Sequence, residues 1–221
     1  MTELSASTDL SASTGRSVLH GETVIAVVRA PRIPDAAALC AALAEGGINL
    51  TEFTYTTPNV TDHLLRASKA GWRVGVGTVL TAEQAGRGVE AGASFLVTPG
   101  CRPEVAEAAA AAGVPVVLGA LTPTEVAHAV DLGAAAVKIF PARAFGPGYF
   151  KDLRGPYPDV PLVASGGVNA GNAAEFLAQG ALAVCAGTDV VPPDVVAAGD
   201  WAEITRRARA FTAACTGAAG S

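Results

Sequence analysis

Charge is sparse in this 221-residue chain and aromatic residues are sparser: 16% of positions are Asp, Glu, Lys or Arg, and 5% are Phe, Trp or Tyr. The formal net charge of −5 comes without a basic cluster, which argues against a nucleic-acid groove or an anionic membrane surface as partner. No apolar run is long enough to span a membrane, since Gly, Pro or a charge interrupts each within about ten residues. Cys40, Cys101, Cys185 and Cys215 lie far apart, with no C-x-x-C and no ligand spacing, and read as reduced thiols of a cytoplasmic protein. Histidine is scarce as well: His20 precedes the first expected strand, and His63 and His128 fall in expected helices. None sits at a strand end, where a divalent ion would be held, so neither a metal nor another cofactor is expected. Residues 1–17 are Ser/Thr-rich and lack both a basic leader and an apolar export core, and they read as a flexible N-terminal tail. That leaves 18–221 as one domain.

What the chain has in quantity is Ala, Val and Gly, a profile that suits parallel strands covered by helices and a small-molecule chemistry. Val24 to Arg29 opens as a continuous β-branched run, the mark of a strand buried on both faces. Pro34-Asp35 then starts a helix that ends at Gly46-Gly47. The alternation recurs. Strands are expected near Asn49 to Thr56, Arg73 to Val79, Phe95 to Thr98, Pro115 to Leu118, around Lys138, at Leu162 to Ala164 and at Ala183 to Ala186. Helix starts follow Pro58-Asn59, Thr81, Pro103 and Thr122-Pro123-Thr124-Glu125, with further helices around Asn169 to Gly180, Gly148 to Leu153 and Trp201 to Ala214. Eight strand-then-helix units point to a closed (β/α)8 TIM barrel. The alternative, an open doubly wound sheet, is expected to carry a G-x-G-x-x-G turn after its first strand, and none is there.

In such barrels chemistry sits at the C-terminal ends of the strands, and the polar residues of this chain collect there. Arg29 closes the first strand. Glu52, Thr54 and Thr56 share one face of the second by alternation, and Thr78 closes the third. Lys138 stands alone in the apolar run Ala136-Val137-Lys138-Ile139-Phe140-Pro141-Ala142. A buried ammonium loses its hydration, whereas a neutral amine attacks a carbonyl to form a Schiff base. Lys138 is the candidate nucleophile; the bland reading is a strand-end lysine reaching to solvent. Burial would raise the pKa of Glu52 and a nearby ammonium would lower it, which suits a proton shuttle or, equally in geometry, an ion-pair partner of Lys138. Ser165-Gly166-Gly167 and Gly187-Thr188 close the last two strands, where backbone N–H groups and a helix N-terminus can take a phosphate or similar anion.

These residues resemble a known family. Gly46-Gly47 through Glu52-Phe53-Thr54, Val74 to Leu80 (VGVGTVL), Val97-Thr98-Pro99-Gly100, Val137 to Ala142 (VKIFPA) and Ser165-Gly166-Gly167-Val168 are similar, in order and spacing, to the 2-keto-3-deoxy-6-phosphogluconate (KDPG) and 4-hydroxy-2-oxoglutarate (KHG) aldolases. The likeness covers residues 22 to 215. It implies a metal-independent class I aldolase, homotrimeric, acting on a small 2-keto acid. By position it implies Lys138 as the Schiff-base lysine for pyruvate and Glu52 as the proton-moving residue. Thr78 and Pro99 would line the pyruvate pocket, Arg29 would face a substrate carboxylate, and Thr56, Phe140 and Ser165 would also lie at the substrate. Gly166, Gly167, Gly187 and Thr188 would hold phosphate. Thr56 stands where phosphogluconate-cleaving members usually carry an arginine, and Ser165 where a threonine is common. Arg143, just past the lysine motif, is a replacement charge or a solvated loop residue. A phosphate-binding isomerase or synthase barrel, or a non-catalytic metabolite-binding barrel, is the competing reading.

Overall fold

Short runs of Val, Ile, Leu and Ala buried on both faces alternate with helices that are apolar along one stripe, and each pair of strands requires a helix to bring the chain back. The structure is a computed structural model that describes Leu19 and residues 21–216. The expected tail, residues 1–17, and His20 lie outside the described residues. The strands are β1 (Val24–Val28), β2 (Leu50–Thr54), β3 (Val74–Gly77), β4 (Leu96–Val97), β5 (Val116–Ala120), β6 (Ala136–Ile139), β7 (Leu162–Ala164) and β8 (Ala183–Ala186). All pair in parallel in sequence order, and β8 pairs back onto β1 through Ile25 and Cys185, so the sheet is a closed (β/α)8 barrel.

Seven of the connections carry one helix each: α1 (Ala36–Glu45), α2 (Val60–Lys69), α3 (Ala82–Glu90), α4 (Pro103–Ala112), α5 (Pro123–Asp131), α6 (Gly148–Arg154) and α7 (Ala173–Ala178). Two helices, α8 (Pro193–Ala198) and α9 (Trp201–Thr216), follow β8. Start signals read from the sequence are visible as caps. The Asp35 side chain accepts from the N–H groups of Ala37 and Ala38. Thr122 and Glu125 form a reciprocal capping box, and the backbone donors it offers hold the Glu125 carboxyl below its usual range. The last helix closes the ring on the first. Thr205 Oγ1 donates to Ala42 O at 3.0 Å, and a side chain at Gly46 would collide with Ala208.

Two hydrophobic layers result. Between sheet and helices lie Leu39, Leu43, Phe53, Leu64, Val76, Phe150 and Phe176, among others, with Phe150 and Phe176 edge to face at 5.3 Å. Inside the barrel, Ile25, Leu50, Phe95, Val97, Val117, Val163 and Cys185 fill the lower layers. That filling forces functional side chains to the upper end. No helix among the described residues is long and apolar enough to cross a membrane.

Candidate active site

Period-two alternation turns Leu50 and Glu52 of β2, and Ala136 and Lys138 of β6, into the barrel. Strands β2 and β6 are four apart in a ring of eight, so the carboxylate and the amine rise from opposite walls. Both are buried, Glu52 at 1% exposure and Lys138 at 6%. Neither Glu52 oxygen has a hydrogen-bond partner among the described residues. Glu52 therefore does not form the ion pair with Lys138 that the sequence left open. Desolvation pushes its carboxyl upward, against the smaller pull of the Lys138 and Arg29 charges. A buried carboxyl without a fixed partner is free to give and take a proton.

The space around the pair is made by glycines facing inward. Gly77 on β3 leaves room for the Glu52 carboxylate, and Gly75 for the Phe95 ring beneath it. Gly119 on β5, the register neighbour of Lys138, leaves room for the Pro99–Gly100 backbone, which seats that turn against β5. That turn is pinned by Thr98, fully buried, whose hydroxyl donates to Gly100 O at 2.7 Å and accepts from Gly119 N at 3.1 Å. The sequence marked Thr98 as part of a motif without a role. Cys185 is a second residue missed; it faces the interior, feels both Glu52 and Lys138, and burial raises its thiol to about 11. Buried polar pinning of this kind leaves no periodic signal.

The other expected residues fall at the mouth, with three adjustments. Thr56 is not on strand two. The chain turns after Thr54, with Thr57 N donating to Thr54 O at 2.8 Å, so Thr56 is exposed, its hydroxyl 2.8 Å from that of Thr54. Thr78 lies one residue beyond β3 with φ +57, a left-handed conformation costly for a β-branched residue. It is held by its neighbours: Val79 N bonds Val97 O, and Leu80 N bonds Gln84 Oε1 at 2.7 Å. Third, the lead-in to α7 is already satisfied by side chains. Asp189 Oδ2 accepts from Ala170 N, Asn172 Oδ1 from Asn169 N, and Asn169 Oδ1 from Gly171 N, so those three N–H groups are already taken.

Free donors are found earlier, in the turns themselves. Gly166 and Gly167 have φ of +89 and +86. The N–H groups of Gly166, Gly167 and Val168, and across the β7–β8 pair those of Gly187 and Thr188, have no acceptor among the described residues. Ser165 is buried at the base of this turn. Phe140 covers it: a methyl group at Gly166 would lie 3.1 Å from the ring, and Lys138 Nζ is 5.2 Å from the ring centroid. Arg29, exposed at the end of β1, acts on Glu52 through its charge. His63 and His128 lie on α2 and α5, on the outer ring.

Among the described residues one buried amine stands opposite one buried carboxyl at the C-terminal end of a (β/α)8 barrel, the face where such barrels carry their chemistry, and the family match makes the class a lyase. The chain belongs to the KDPG and KHG aldolase family, whose description matches residues 16–207. Among its relatives, the 2-dehydro-3-deoxy-phosphogluconate aldolase of Treponema pallidum is 38% identical over 185 residues, covering 82% of this chain and 88% of the relative. The KHG/KDPG aldolase of Escherichia coli is 31% identical over 196 residues, covering 87% and 92%. In structure, the KDPG aldolase of Legionella pneumophila, solved with pyruvate captured as a covalent carbinolamine, superposes with a TM-score of 0.82 at 31% identity, covering 90% of this chain and 97% of that one.

Proposed function

We propose that this chain is a class I pyruvate aldolase that cleaves a 2-keto-4-hydroxy acid, KDPG or 4-hydroxy-2-oxoglutarate, into pyruvate and an aldehyde, with Lys138 as the Schiff-base residue and Glu52 as its proton carrier. The observation that carries the reading is the opposition of Lys138 and Glu52, two buried ionisable groups on facing strands with no ion pair between them. Lys138 adds to the keto carbon, the carbinolamine loses water, and the resulting iminium draws the electrons of the bond between the third and fourth carbons. Glu52 accepts the proton of the carbinol hydroxyl as the aldehyde leaves, and the pyruvate enamine is reprotonated and hydrolysed to free the lysine. The iminium is itself the electron sink, so the sequence of steps calls for no metal.

Thr78, Pro99 and Phe140 line the pyruvate end, Arg29 faces the keto-acid carboxylate, and Ser165 and Thr56 flank the chain of the substrate. The free N–H groups of Gly166, Gly167, Gly187 and Thr188 receive the remote anion. The same family likeness supports a homotrimer, and the four unpaired cysteines support a place in the cytoplasm. A synthase or isomerase on the same barrel has no use for an amine buried opposite an unpartnered carboxyl, and a pure binding protein has no use for its desolvation. Pyruvate release from KDPG and from 4-hydroxy-2-oxoglutarate, measured with and without EDTA, tests the reading: EDTA-insensitive release from at least one supports it, and metal-dependent release or none from either contradicts it.

A further inference from the structure

Arg143 enters from the 3₁₀ turn Ala142–Ala144 that follows β6, and its backbone N–H donates to Gly166 O at 3.0 Å. Its stem lies directly over the anion turn: a methyl group at Gly167 would come within 3.1 Å of Arg143 Cγ and 3.0 Å of Cδ. The residue is exposed, and its guanidinium has no hydrogen-bond or ion-pair partner among the described residues. One side of this turn therefore carries unpaired backbone donors and the other an unpaired cation, with Phe140 between that cluster and Lys138. A guanidinium seated on a glycine that has no side chain to intervene can close on an oxyanion held by the neighbouring N–H groups, a fork suited to phosphate.

We propose that Arg143 is a specificity-determining residue that binds the remote phosphate of the substrate from the turn that follows β6. The proposal rests on the aldolase reading above. Reach favours phosphate over carboxylate. In 4-hydroxy-2-oxoglutarate the remote carboxylate is attached to the carbinol carbon itself, beside Lys138. In KDPG two further carbons and an ester oxygen separate the carbinol carbon from phosphorus, enough to pass the Phe140 ring and meet the Gly166–Gly167 turn. The cation at Arg143 thus rewards the longer, phosphorylated substrate.

The test uses the full chain and its Arg143→Ala and Arg143→Lys variants. Calorimetric binding of glycerol 3-phosphate, a phosphate-bearing compound with no keto group, should weaken by about tenfold or more in Arg143→Ala and partly recover in Arg143→Lys. KM for KDPG should rise by more than kcat falls, and the loss in kcat/KM for KDPG should exceed that for 4-hydroxy-2-oxoglutarate. Unchanged glycerol 3-phosphate binding, or equal losses for the two substrates, overturns the proposal. Borohydride trapping of pyruvate on the unaltered chain separates the two levels. Trapping without any effect of Arg143→Ala on phosphate binding sinks the Arg143 role alone. Weakened phosphate binding in a chain that does not trap pyruvate upholds the anion site and sinks the aldolase reading.

Discussion

Gly77 and Glu52 share one space: any side chain at Gly77 would occupy the volume of the Glu52 carboxylate. The two face each other from paired strands, where Gly77 sits in register with Thr54, two residues past the glutamate. The barrel holds its proton carrier by omitting a neighbour.

Replacing Gly77 by Ala should therefore displace the carboxylate and strain the core, destabilising the protein by about 1–3 kcal/mol and lowering kcat by roughly tenfold or more. The control is Gly86→Ala on the exposed face of α3, where a methyl group meets nothing within 4 Å. It should stabilise by about 0.5–1 kcal/mol without touching turnover. Thermal melts and steady-state assays of both variants check the contrast.

Glu52 makes a pH-dependent demand on stability. Burial raises its folded-state pKa, so the folded protein holds the proton more tightly than the unfolded chain does. The stability contributed by the neutral carboxyl is complete below the unfolded value and is lost as pH rises through the folded one. Glu52→Gln, which cannot ionise, should melt above the unaltered protein at about pH 8, with the gap closing toward about pH 4. Equal melting temperatures at both ends of that range would count against a desolvated carboxyl.

Thr98→Val keeps the shape of the side chain and removes its hydroxyl. Gly119 N–H and Gly100 O lose their partner in a buried place, at a cost of about 1–3 kcal/mol. Because the same bonds hold the Pro99 turn against Gly119, the register neighbour of Lys138, KM for pyruvate-yielding substrates should rise as well. A stability loss with KM unchanged would show that the turn keeps its place without Thr98.

The thiols divide by burial. Cys40 and Cys185 are buried and their thiols are raised to about 11, whereas Cys101 and Cys215 are half-buried. Iodoacetamide at about pH 8 should alkylate Cys101 and Cys215 first and reach Cys40 and Cys185 only on unfolding, because the thiolate is the reactive form. Peptide mass mapping over time checks the order.

The barrel was legible because its signals are local. Pro-Asp, Thr-Pro-Thr-Glu and Gly-Gly punctuate the chain where helices start and stop, and β-branched runs mark buried strands. The burial of Lys138 was legible because a lone charge in an apolar run is rare. The surroundings of Thr98, Gly119 and Arg143 were harder, since they depend on which strand lies next to which and on how closely two loops approach. The short helix α8 was missed because Pro192-Pro193 reads as a turn and its six residues are too few for periodicity. Thr56 was placed on the strand because alternation continues through it, while the backbone bond from Thr57 to Thr54 has no sequence mark.

An imine at Lys138 is trapped irreversibly by borohydride in the presence of pyruvate. The folded protein should gain the mass of one reduced pyruvate, with peptide mapping placing it on Lys138 and Lys138→Ala gaining none. An unchanged mass after treatment of the folded protein, or modification at Lys69 or Lys151 in place of Lys138, would rule out the imine at Lys138.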